Sequence, residues 1–368
     1  LFLLKVLHKF KILNFLFPII KKNNFEYLNL SFKNRLGTAA GLDKNGDYID
    51  SLGALGFGFL EVGTVTPLPQ KGNPKPRVFR LFDEQAVINR LGFNNKGVDY
   101  VVKNLKKRKY NGVVGVNIGA NKTSEAQQRI DDYLICFEKV AEYSDYITIN
   151  ISSPNTPGLR NLHEDMHIKN LIDSIEKRVT ELNFIKPIFI KISPDESFEV
   201  IKNTAEYIKN SILTGLIISN TKINREMLKN SKYKDFQGGL SGSPLMERST
   251  YLLKKINEEF PELPIIGVGG VMNNHRHPDP EAAAARGAVE HQPLPCRRAG
   301  EEPPPLPPLP PSYWLPSSPL YPQARRQVRH QVRRHRRRRP HPRSPRLHQH
   351  QIHIHRRQFR RHQARRLH

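Results

Sequence analysis

Seven short apolar runs, separated by helix-like stretches, are the feature that most constrains the fold of this chain. The runs are nearly continuously apolar, which is typical of parallel strands buried on both faces. They lie at residues 36–41, 57–64, 113–119, 145–151, 187–192, 214–219 and 264–270. Amphipathic stretches such as 125–142 and 168–183 lie between them. This alternation predicts an α/β fold, and the number of strands favours a TIM (β/α)8 barrel over a doubly wound sheet.

Nearly every one of these runs ends, at its C-terminal side, in polar or glycine residues. They are Asp43 with Lys44, Thr64, Asn117, Asn150, Lys191, Ser219 with Asn220, and Gly269 with Gly270. In a barrel, the carboxyl ends of all strands meet at one rim, where the loops that follow them build the active site. Polar residues end many strands, but a repeat at strand after strand predicts one shared site at this rim.

The first 30 residues have a different pattern and form a basic amphipathic helical segment. Residues that fall roughly on one helical face are Leu1, Leu4, Leu7 or His8, Ile12 and Phe15, with lysines between them. Pro18 ends or kinks this helix. Such a helix either lies in a membrane interface or packs on the barrel, and the sequence leaves both open. Because no run of about 18 apolar residues exists, no membrane-spanning helix is predicted.

The composition changes abruptly after residue 274. Residues 275–368 hold 21 arginines, no lysine or asparagine, 12 of the 15 histidines, 17 of the 29 prolines and five acidic residues. They therefore carry +16 of the formal net charge of +25. The run PPPLPPLPP at 303–311 favours polyproline II, and the Arg/His-rich residues 325–368 predict disorder. We expect the last strand–helix unit of the barrel to be replaced by this unrelated tail.

Two interpretations of the tail stay open. It is either a solvated product of a frameshifted or chimeric coding sequence, which would leave the chain inactive, or an arginine-rich arm for nucleic acid. Nucleic acid is the less favoured partner, because no recognised nucleic-acid-binding fold accompanies the arginines. The predicted organisation is thus a helical segment at 1–30, an incomplete barrel at 31–274 and a tail at 275–368. Two cysteines, Cys136 and Cys296, cannot form a disulfide framework, so nothing indicates secretion.

A stiff polar loop follows the fourth apolar run. Residues 150–158 read Asn-Ile-Ser-Ser-Pro-Asn-Thr-Pro-Gly, and the two prolines restrict the backbone on either side. Asn150, Ser152, Ser153 and Asn155 are therefore expected at the rim in a fixed arrangement, as catalytic groups require. A Ser–His–Asp triad is not predicted, because no histidine of the barrel region stands at a strand end. No metal site is predicted.

Nine motifs occur in order along residues 31–274. They are Ala39–Gly46, Glu61–Pro67, Asn89–Asn95, Val116–Gly119, Asn150–Gly158, Ile190–Asp195, Ser219–Thr221, Gly238–Gly242 and Ile266–Gly270. In these motifs the chain resembles the quinone-dependent (class 2) dihydroorotate dehydrogenases. The resemblance implies oxidation of dihydroorotate to orotate in de novo pyrimidine (UMP) biosynthesis, with FMN as hydride acceptor and ubiquinone or a related quinone as electron acceptor.

The resemblance also assigns a base and a cellular position. Ser153 would remove the C5 proton, and since the other class uses cysteine there, serine favours the quinone-linked class. The N-terminal segment would contact the cytoplasmic face of the inner cell membrane without spanning it. A related FMN barrel enzyme that uses fumarate or NAD is disfavoured by Ser153 and by this segment.

By the same resemblance, the pyrimidine would be bound by Lys44, Asn89, Arg90, Leu91, Gly92, Phe93, Asn94, Asn150, Asn155, Asn220 and Thr221. The FMN would be bound by Ala40, Gly41, Lys44, Thr64, Asn117, Asn150, Lys191, Ser219, Gly242 and Gly270. Asparagine suits a cyclic imide because its side chain offers both a donor and an acceptor. A lysine suits the edge of the flavin where negative charge develops on reduction.

The chain departs from the family pattern in two places. Ser219 stands where the family commonly has threonine, which keeps the hydroxyl. The family's Tyr–Ser or Tyr–Thr pair, which binds the FMN phosphate after the last strand, has no counterpart here. A barrel without its last strand would also expose two edges. We therefore predict weak or absent FMN binding and a tendency to aggregate.

Overall fold

A computed structural model of the protein describes residues 1–13, 24–125, 127–155, 165–229, 231–271 and 286–289. The chain divides into two units, 1–296 and 297–368, and all described residues lie in the first. The predicted kink at Pro18, the second half of the loop at 150–158 and the predicted disordered tail lie outside the described residues.

The described elements are short strands and amphipathic helices in alternation. The strands are β1 Phe25–Tyr27, β2 Leu30–Phe32, β3 Gly37–Asp43, β4 Phe59–Val65, β5 Val78–Leu81, β6 Ala86–Asn89, β7 Val113–Ile118, β8 Tyr146–Asn150, β9 Ile188–Lys191, β10 Gly215–Ile218, β11 Gly239–Gly242, β12 Ile265–Val268 and β13 Arg286–Val289. The helices are α1 Phe2–Lys9, α2 Ile49–Gly53, α3 Val98–Leu105, α4 Gln127–Ala141, α5 Asp165–Leu182, α6 Phe198–Lys209 and α7 Met246–Glu259. All seven predicted runs form strands, namely β3, β4, β7, β8, β9, β10 and β12.

Eight of these strands close into a parallel barrel, which confirms the predicted fold class. Around the barrel they follow the order β10, β12, β13, β3, β4, β7, β8 and β9. The register pairs Asn117 of β7 with Thr148 of β8, and Asn150 of β8 with Lys191 of β9. Strands in this register bring the polar residues at their carboxyl ends to one rim.

The eighth strand lies where none was expected. Arg286–Val289 runs parallel to β12 on one side and to β3 on the other, with Ala288 opposite both Val268 and Gly37. The expectation that residues after 274 contain no strand is therefore wrong at these four residues. The sequence Arg-Gly-Ala-Val has little strand character of its own, but the open edges of β12 and β3 offer backbone partners on both sides.

The helices that cover the barrel follow their sequence patterns. In α4, the buried face consists of Ile130, Tyr133, Cys136, Phe137 and Val140. Ser197 is the N-cap of helix α6, and its hydroxyl accepts the backbone N–H of Val200 at 3.3 Å. Its buried side chains recur every three or four residues, which is the spacing of one helical face.

Two small sheets flank opposite ends of the barrel, and neither was predicted. The antiparallel hairpin β1–β2 packs against the amino end through Leu28, Leu30 and Phe32. The antiparallel sheet of β5, β6 and β11 stands beside the carboxyl end. The first sheet completes a hydrophobic floor, whereas the second supplies part of a cavity wall.

The predicted N-terminal helix forms over Phe2–Lys9. Leu4 packs against the core of the barrel, and the Lys5 ammonium lies 5.5 Å from the centroid of the Tyr48 ring. Phe2, Leu3 and Phe10 are largely exposed. The helix therefore packs on the barrel and still presents apolar side chains to the outside. Within the described ranges, no helix is long and apolar enough to cross a membrane.

Candidate active site

A cavity of about 760 Å³ opens at the carboxyl end of the barrel strands. It brings together most of the residues that the sequence proposed for one site. Those that line it are Ala40, Gly41, Lys44, Thr64, Asn89, Leu91, Gly92, Phe93, Asn94, Asn150, Ser153, Asn155, Lys191, Asn220 and Thr221. They come from β3, β4, β6, β8, β9 and β10 and from the loops that follow these strands, so the rim argument located the cavity.

Five of the proposed residues do not line this cavity. Asn117 is fully buried behind Thr64, and Ser219 donates its hydroxyl to the Asn220 carbonyl at 3.1 Å. The Arg90 guanidinium points away and donates to the Pro76 carbonyl at 2.9 and 3.0 Å. The two glycines lie at the ends of strands, with Gly242 opposite Ala86 on β6 and Gly270 against Met246 at the start of α7.

Ser153 stands in the cavity wall directly after β8. Its side chain is 5% exposed, and its Oγ accepts the backbone N–H of Asn155 at 3.3 Å. The start of this loop is held by the buried Tyr133, whose hydroxyl donates to the Asn150 carbonyl at 2.7 Å. Neither described histidine, His8 nor His167, lines the cavity. The serine is thus held in place by its own loop.

Hydrogen bonds from asparagine side chains connect the segments that form the cavity wall. Asn155 Nδ2 donates to the carbonyl and to the side-chain oxygen of Asn89, at 3.2 and 3.3 Å. Asn89 in turn donates to the Gly239 carbonyl at 3.5 Å, which links β6 to β11. Asn220 Nδ2 donates to Ser152 Oγ at 2.9 Å. These contacts hold amide groups at fixed directions around the space between them.

A second chain of hydrogen bonds runs below the cavity. Thr64 Oγ1 donates to Asn117 Oδ1 at 2.6 Å, and Asn150 Nδ2 donates to Thr64 Oγ1 at 2.9 Å. Asn117 Nδ2 donates to the buried carboxylate of Glu61 at 3.0 Å. Tyr146 and Thr148 donate to the other oxygen of that carboxylate, at 3.1 and 3.0 Å. The sequence motif contained Glu61 but gave it no role.

Two lysines face the cavity in different settings. Lys44 Nζ donates to Asn94 Oδ1 at 3.2 Å, and burial together with the nearby Arg77 guanidinium lowers the pKa of Lys44 to about 7. Lys191 is 3% exposed, and within the described ranges its ammonium makes no hydrogen bond or ion pair. Both lysines therefore offer a positive charge, or a proton, to an anionic group in the cavity.

Asp43 orients the loop that carries Lys44. Its two carboxylate oxygens accept the backbone N–H groups of Asp47 and Tyr48, at 2.9 and 2.7 Å. Burial raises the pKa of this carboxyl, against the effect of those hydrogen bonds. The carboxylate closes the turn after β3 and so fixes where the lysine backbone leaves the strand.

One side of the cavity was not predicted from sequence. Val78 and Arg80 of β5, Val87 of β6 and Ser241 of β11 line it. The signal for these strands is short, since each has four residues and the antiparallel partners β6 and β11 are far apart along the chain. Within the described ranges, no group of three His, Cys, Asp or Glu side chains gathers to hold a metal ion.

Comparisons with known proteins place this chain in one family. The family model described as dihydroorotate dehydrogenase matches residues 23–276. A protein of Saccharophagus degradans named dihydroorotate dehydrogenase (quinone) is 47% identical over 266 residues, covering 71% of this chain and 78% of that protein. A protein of Vibrio atlanticus with the same name is 49% identical over 251 residues, covering 67% of this chain and 75% of that protein.

Solved structures agree with the sequence relatives. The crystal structure of Eimeria tenella DHODH in complex with ferulenol matches with a TM-score of 0.68 and 32% sequence identity. The match covers 78% of this chain and 85% of that one. The ligand-free form of the Eimeria tenella protein matches with a TM-score of 0.67 and 34% identity. The fold, the site and the relatives together show that this chain belongs to the dihydroorotate dehydrogenase family.

Proposed function

We propose that this chain oxidises dihydroorotate to orotate and passes the electrons to a quinone, as a step of pyrimidine biosynthesis. The observation that carries the proposal is the placement of the Ser153 hydroxyl, the Lys44 ammonium and several asparagine amides around one cavity. Relatives at 46–49% identity that carry the name dihydroorotate dehydrogenase (quinone) support it.

The residues of the site fit FMN as the cofactor. Gly41 has φ +110°, and a Cβ placed on it would have no atom within 4 Å, so the backbone there leaves a face of the cavity free for a flat ring. Lys191 is a buried cation on the same cavity and would suit the edge of a flavin that becomes negative on reduction. When bound, FMN would supply the hydride acceptor. Ala40, Gly41, Thr64, Asn150 and Lys191 would hold it.

The structure removes one of the two grounds for predicting weak FMN binding. The prediction rested partly on an open barrel, and β13 closes the barrel between β12 and β3. What remains is the missing counterpart of the phosphate-binding pair, in residues outside the described ranges. Flavin absorbance of the protein after gel filtration tests this prediction, and one FMN per chain on a monodisperse peak would contradict it.

The chain's own residues would bind and deprotonate the substrate. Lys44 would pair with the substrate carboxylate, because it lines the cavity and its Nζ is held there by the Asn94 side chain. Asn89, Asn155 and Asn220 would meet the ring amides with their donor and acceptor atoms. Ser153 Oγ would take the C5 proton, since its hydroxyl is held in the wall by the Asn155 backbone N–H.

We also propose a peripheral membrane contact through the N-terminal segment, at the cytoplasmic face of the inner membrane. The exposed Phe2 and Leu3 stand on α1, which also carries Lys5 and Lys9, and the exposed Phe10 follows directly after it. Apolar side chains with adjacent lysines favour an anionic lipid surface. Flotation with anionic vesicles should carry the protein upward, and the variant Phe2→Ser/Leu3→Ser should remain at the bottom of the gradient.

The proposed reaction is tested by anaerobic mixing with dihydroorotate. Bleaching of the flavin absorbance near the visible maximum, followed by recovery when a short-chain quinone is added, is the expected result. Fumarate and NAD are the comparison acceptors, and recovery with either but not with quinone would contradict the quinone-linked assignment. A flavin-loaded protein that dihydroorotate does not reduce would contradict the proposed function itself.

A further inference from the structure

Glu61 is a carboxylate inside the barrel, one layer below the cavity. It lies on β4, is 4% exposed and accepts three hydrogen bonds, from Asn117, Tyr146 and Thr148. Within the described ranges it forms no ion pair. A buried carboxylate without a cation costs several kcal/mol, and an apolar side chain would fill the same space. Packing therefore does not explain why a carboxylate stands here.

The Glu61 carboxylate determines the orientation of the Asn117 side-chain amide. Because both oxygens of the Glu61 side chain accept hydrogen bonds, Asn117 turns its Nδ2 donor toward them. The other end of that amide, Asn117 Oδ1, then faces Thr64 Oγ1 at 2.6 Å and Asn150 Nδ2 at 3.2 Å. A reversed Asn117 would place its NH2 group against Asn150 Nδ2, so that two donors would face each other.

The same matching of donors to acceptors fixes the orientation of the amides of Asn150 and Asn220 in the cavity wall. With its Nδ2 used below, Asn150 has Oδ1 free to accept from Ser152 N and Oγ, both at 3.2 Å, and from Asn220 Nδ2 at 3.3 Å. Asn220 Oδ1 in turn accepts the Thr221 N–H at 2.8 Å. Asn150 and Asn220 line the cavity, whereas Glu61 and Asn117 do not.

We propose that Glu61 is a positioning residue that fixes the donor and acceptor directions of Asn117, Asn150 and Asn220. It thereby decides which hydrogen-bonding edge the cavity presents to a cyclic imide ligand. This inference rests on the proposed function, because the ligand edge it concerns is that of the pyrimidine or the flavin. The acceptor character of the Glu61 carboxylate toward Asn117 matters in it, and its volume does not.

A reciprocal exchange of two nearly isosteric side chains tests the inference. In Asn117→Asp, two carboxylates face each other and the ordered direction is lost. In the double variant Glu61→Gln/Asn117→Asp, the amide introduced on β4 can donate to the carboxylate introduced on β7, whose other oxygen still accepts from Thr64 and Asn150. Charge and volume of the pair are then the same as in the natural protein, with the roles exchanged.

The readouts are orotate affinity, from isothermal titration calorimetry in the presence of excess FMN, and resistance of each variant to urea. Asn117→Asp should weaken orotate binding about 10–100-fold, which is the range for a hydrogen bond to a charged group. The double variant should recover most of that loss. Recovery of urea resistance without recovery of orotate affinity would show a purely structural role and overturn the inference.

Tyr146→Phe is the matched control, because it removes a donor to Glu61 on the side away from Asn117. Its orotate affinity should stay within about twofold of the natural protein, since the amide chain is intact. A loss as large as that of Asn117→Asp would overturn the inference. If Asn117→Asp yields no folded protein, Glu61→Leu replaces it, because it removes the acceptor of Asn117 Nδ2 and should weaken orotate binding similarly.

Orotate binding and flavin reduction by the natural protein distinguish a failure of the Glu61 proposal from a failure of the proposed function. Orotate binding and flavin reduction by the natural protein, without rescue in the double variant, would overturn the role of Glu61 and leave the proposed function intact. Absence of both from flavin-loaded natural protein would overturn the proposed function, and the inference would fall with it.

Discussion

The two ends of the barrel are built from the same strands but differ in chemistry. At the amino end, Phe59, Val113, Tyr146 and Phe189 form a hydrophobic cluster that the hairpin β1–β2 covers. At the carboxyl end, the same strands present Thr64, Asn117, Asn150 and Lys191. The floor is closed by packing, whereas the rim is held by hydrogen bonds around an open cavity.

Strand β8 shows how abrupt this change is. Tyr146 packs edge-to-face with Phe189 at 5.8 Å between ring centroids, while Asn150, four residues later, donates to Thr64 and Asn117. Thr148 lies between them and donates to Glu61. Because every second residue of a strand faces inward, one strand can supply both ends of the barrel. The comparison indicates that stability and chemistry can be altered separately, and four predictions test that separation.

Ser153→Ala should have the largest effect and should affect chemistry alone. Loss of the hydroxyl that takes the C5 proton should slow flavin reduction by dihydroorotate about 10²–10⁴-fold. Orotate affinity and the urea midpoint should change little. The matched control is Ser241→Ala, another buried cavity serine, whose hydroxyl donates to the Val87 carbonyl. Near-normal reduction by Ser153→Ala would remove this residue from the base role.

Phe59→Ala should lower the stability of the protein through the hydrophobic cluster at the amino end, without changing the chemistry at the rim. The ring is buried and packs edge-to-face on Phe32 at 5.7 Å between centroids. Its removal should lower the free energy of unfolding by about 3–5 kcal/mol. Urea denaturation measures this, with Phe82→Ala as control because the Phe82 side chain is 75% exposed. A large fall in turnover per folded molecule would show that the two ends are coupled.

Orotate affinity should depend on pH through Lys44. The pKa of this lysine is lowered to about 7, so in the free protein the ammonium loses its proton above that pH. A bound carboxylate favours the protonated form, and affinity should therefore fall up to about tenfold per pH unit between pH 7 and 9. In Lys44→Arg the charge persists across this range, so titration should give a flat profile. An equally steep profile in that variant would assign the titration to another group.

Lys186→Met, at the amino end of the barrel, should have the smallest effect, and this effect should be on stability. The Lys186 ammonium donates to the carbonyls of Ala141, Glu142 and Ser144, at 3.0, 3.0 and 2.6 Å, and so binds the end of α4. Loss of these contacts should lower the free energy of unfolding by about 1–2 kcal/mol. The exposed Lys103 of α3 provides the control, and Lys103→Met should leave the urea midpoint unchanged. Equal midpoints for both variants would contradict the capping role.

Much of the barrel could be predicted from the sequence because its strands are buried on both faces. A run such as 113–119 is apolar except for Asn117, and many such runs in alternation with helices are typical of an α/β fold. The cavity followed from the same reasoning, since Asn150 and Lys191 interrupt apolar runs at their carboxyl ends. The small sheets escaped prediction because β5, β6 and β11 have only four residues each and pair across long separations.

The sequence by itself determined seven strands in alternation with helices, the polar rim and the residue types that meet there, because local apolar patterns and the geometry of parallel strands suffice for these. Only the tertiary structure decided that Arg286–Val289 completes the barrel, since the edges of β12 and β3 supply partners that the segment's own composition does not announce. It also decided that Asn117 lies behind the cavity and that Glu61 lies beneath it. Which end of an amide faces a ligand depends on a chain of neighbours from different strands, and that chain exists only in the closed barrel.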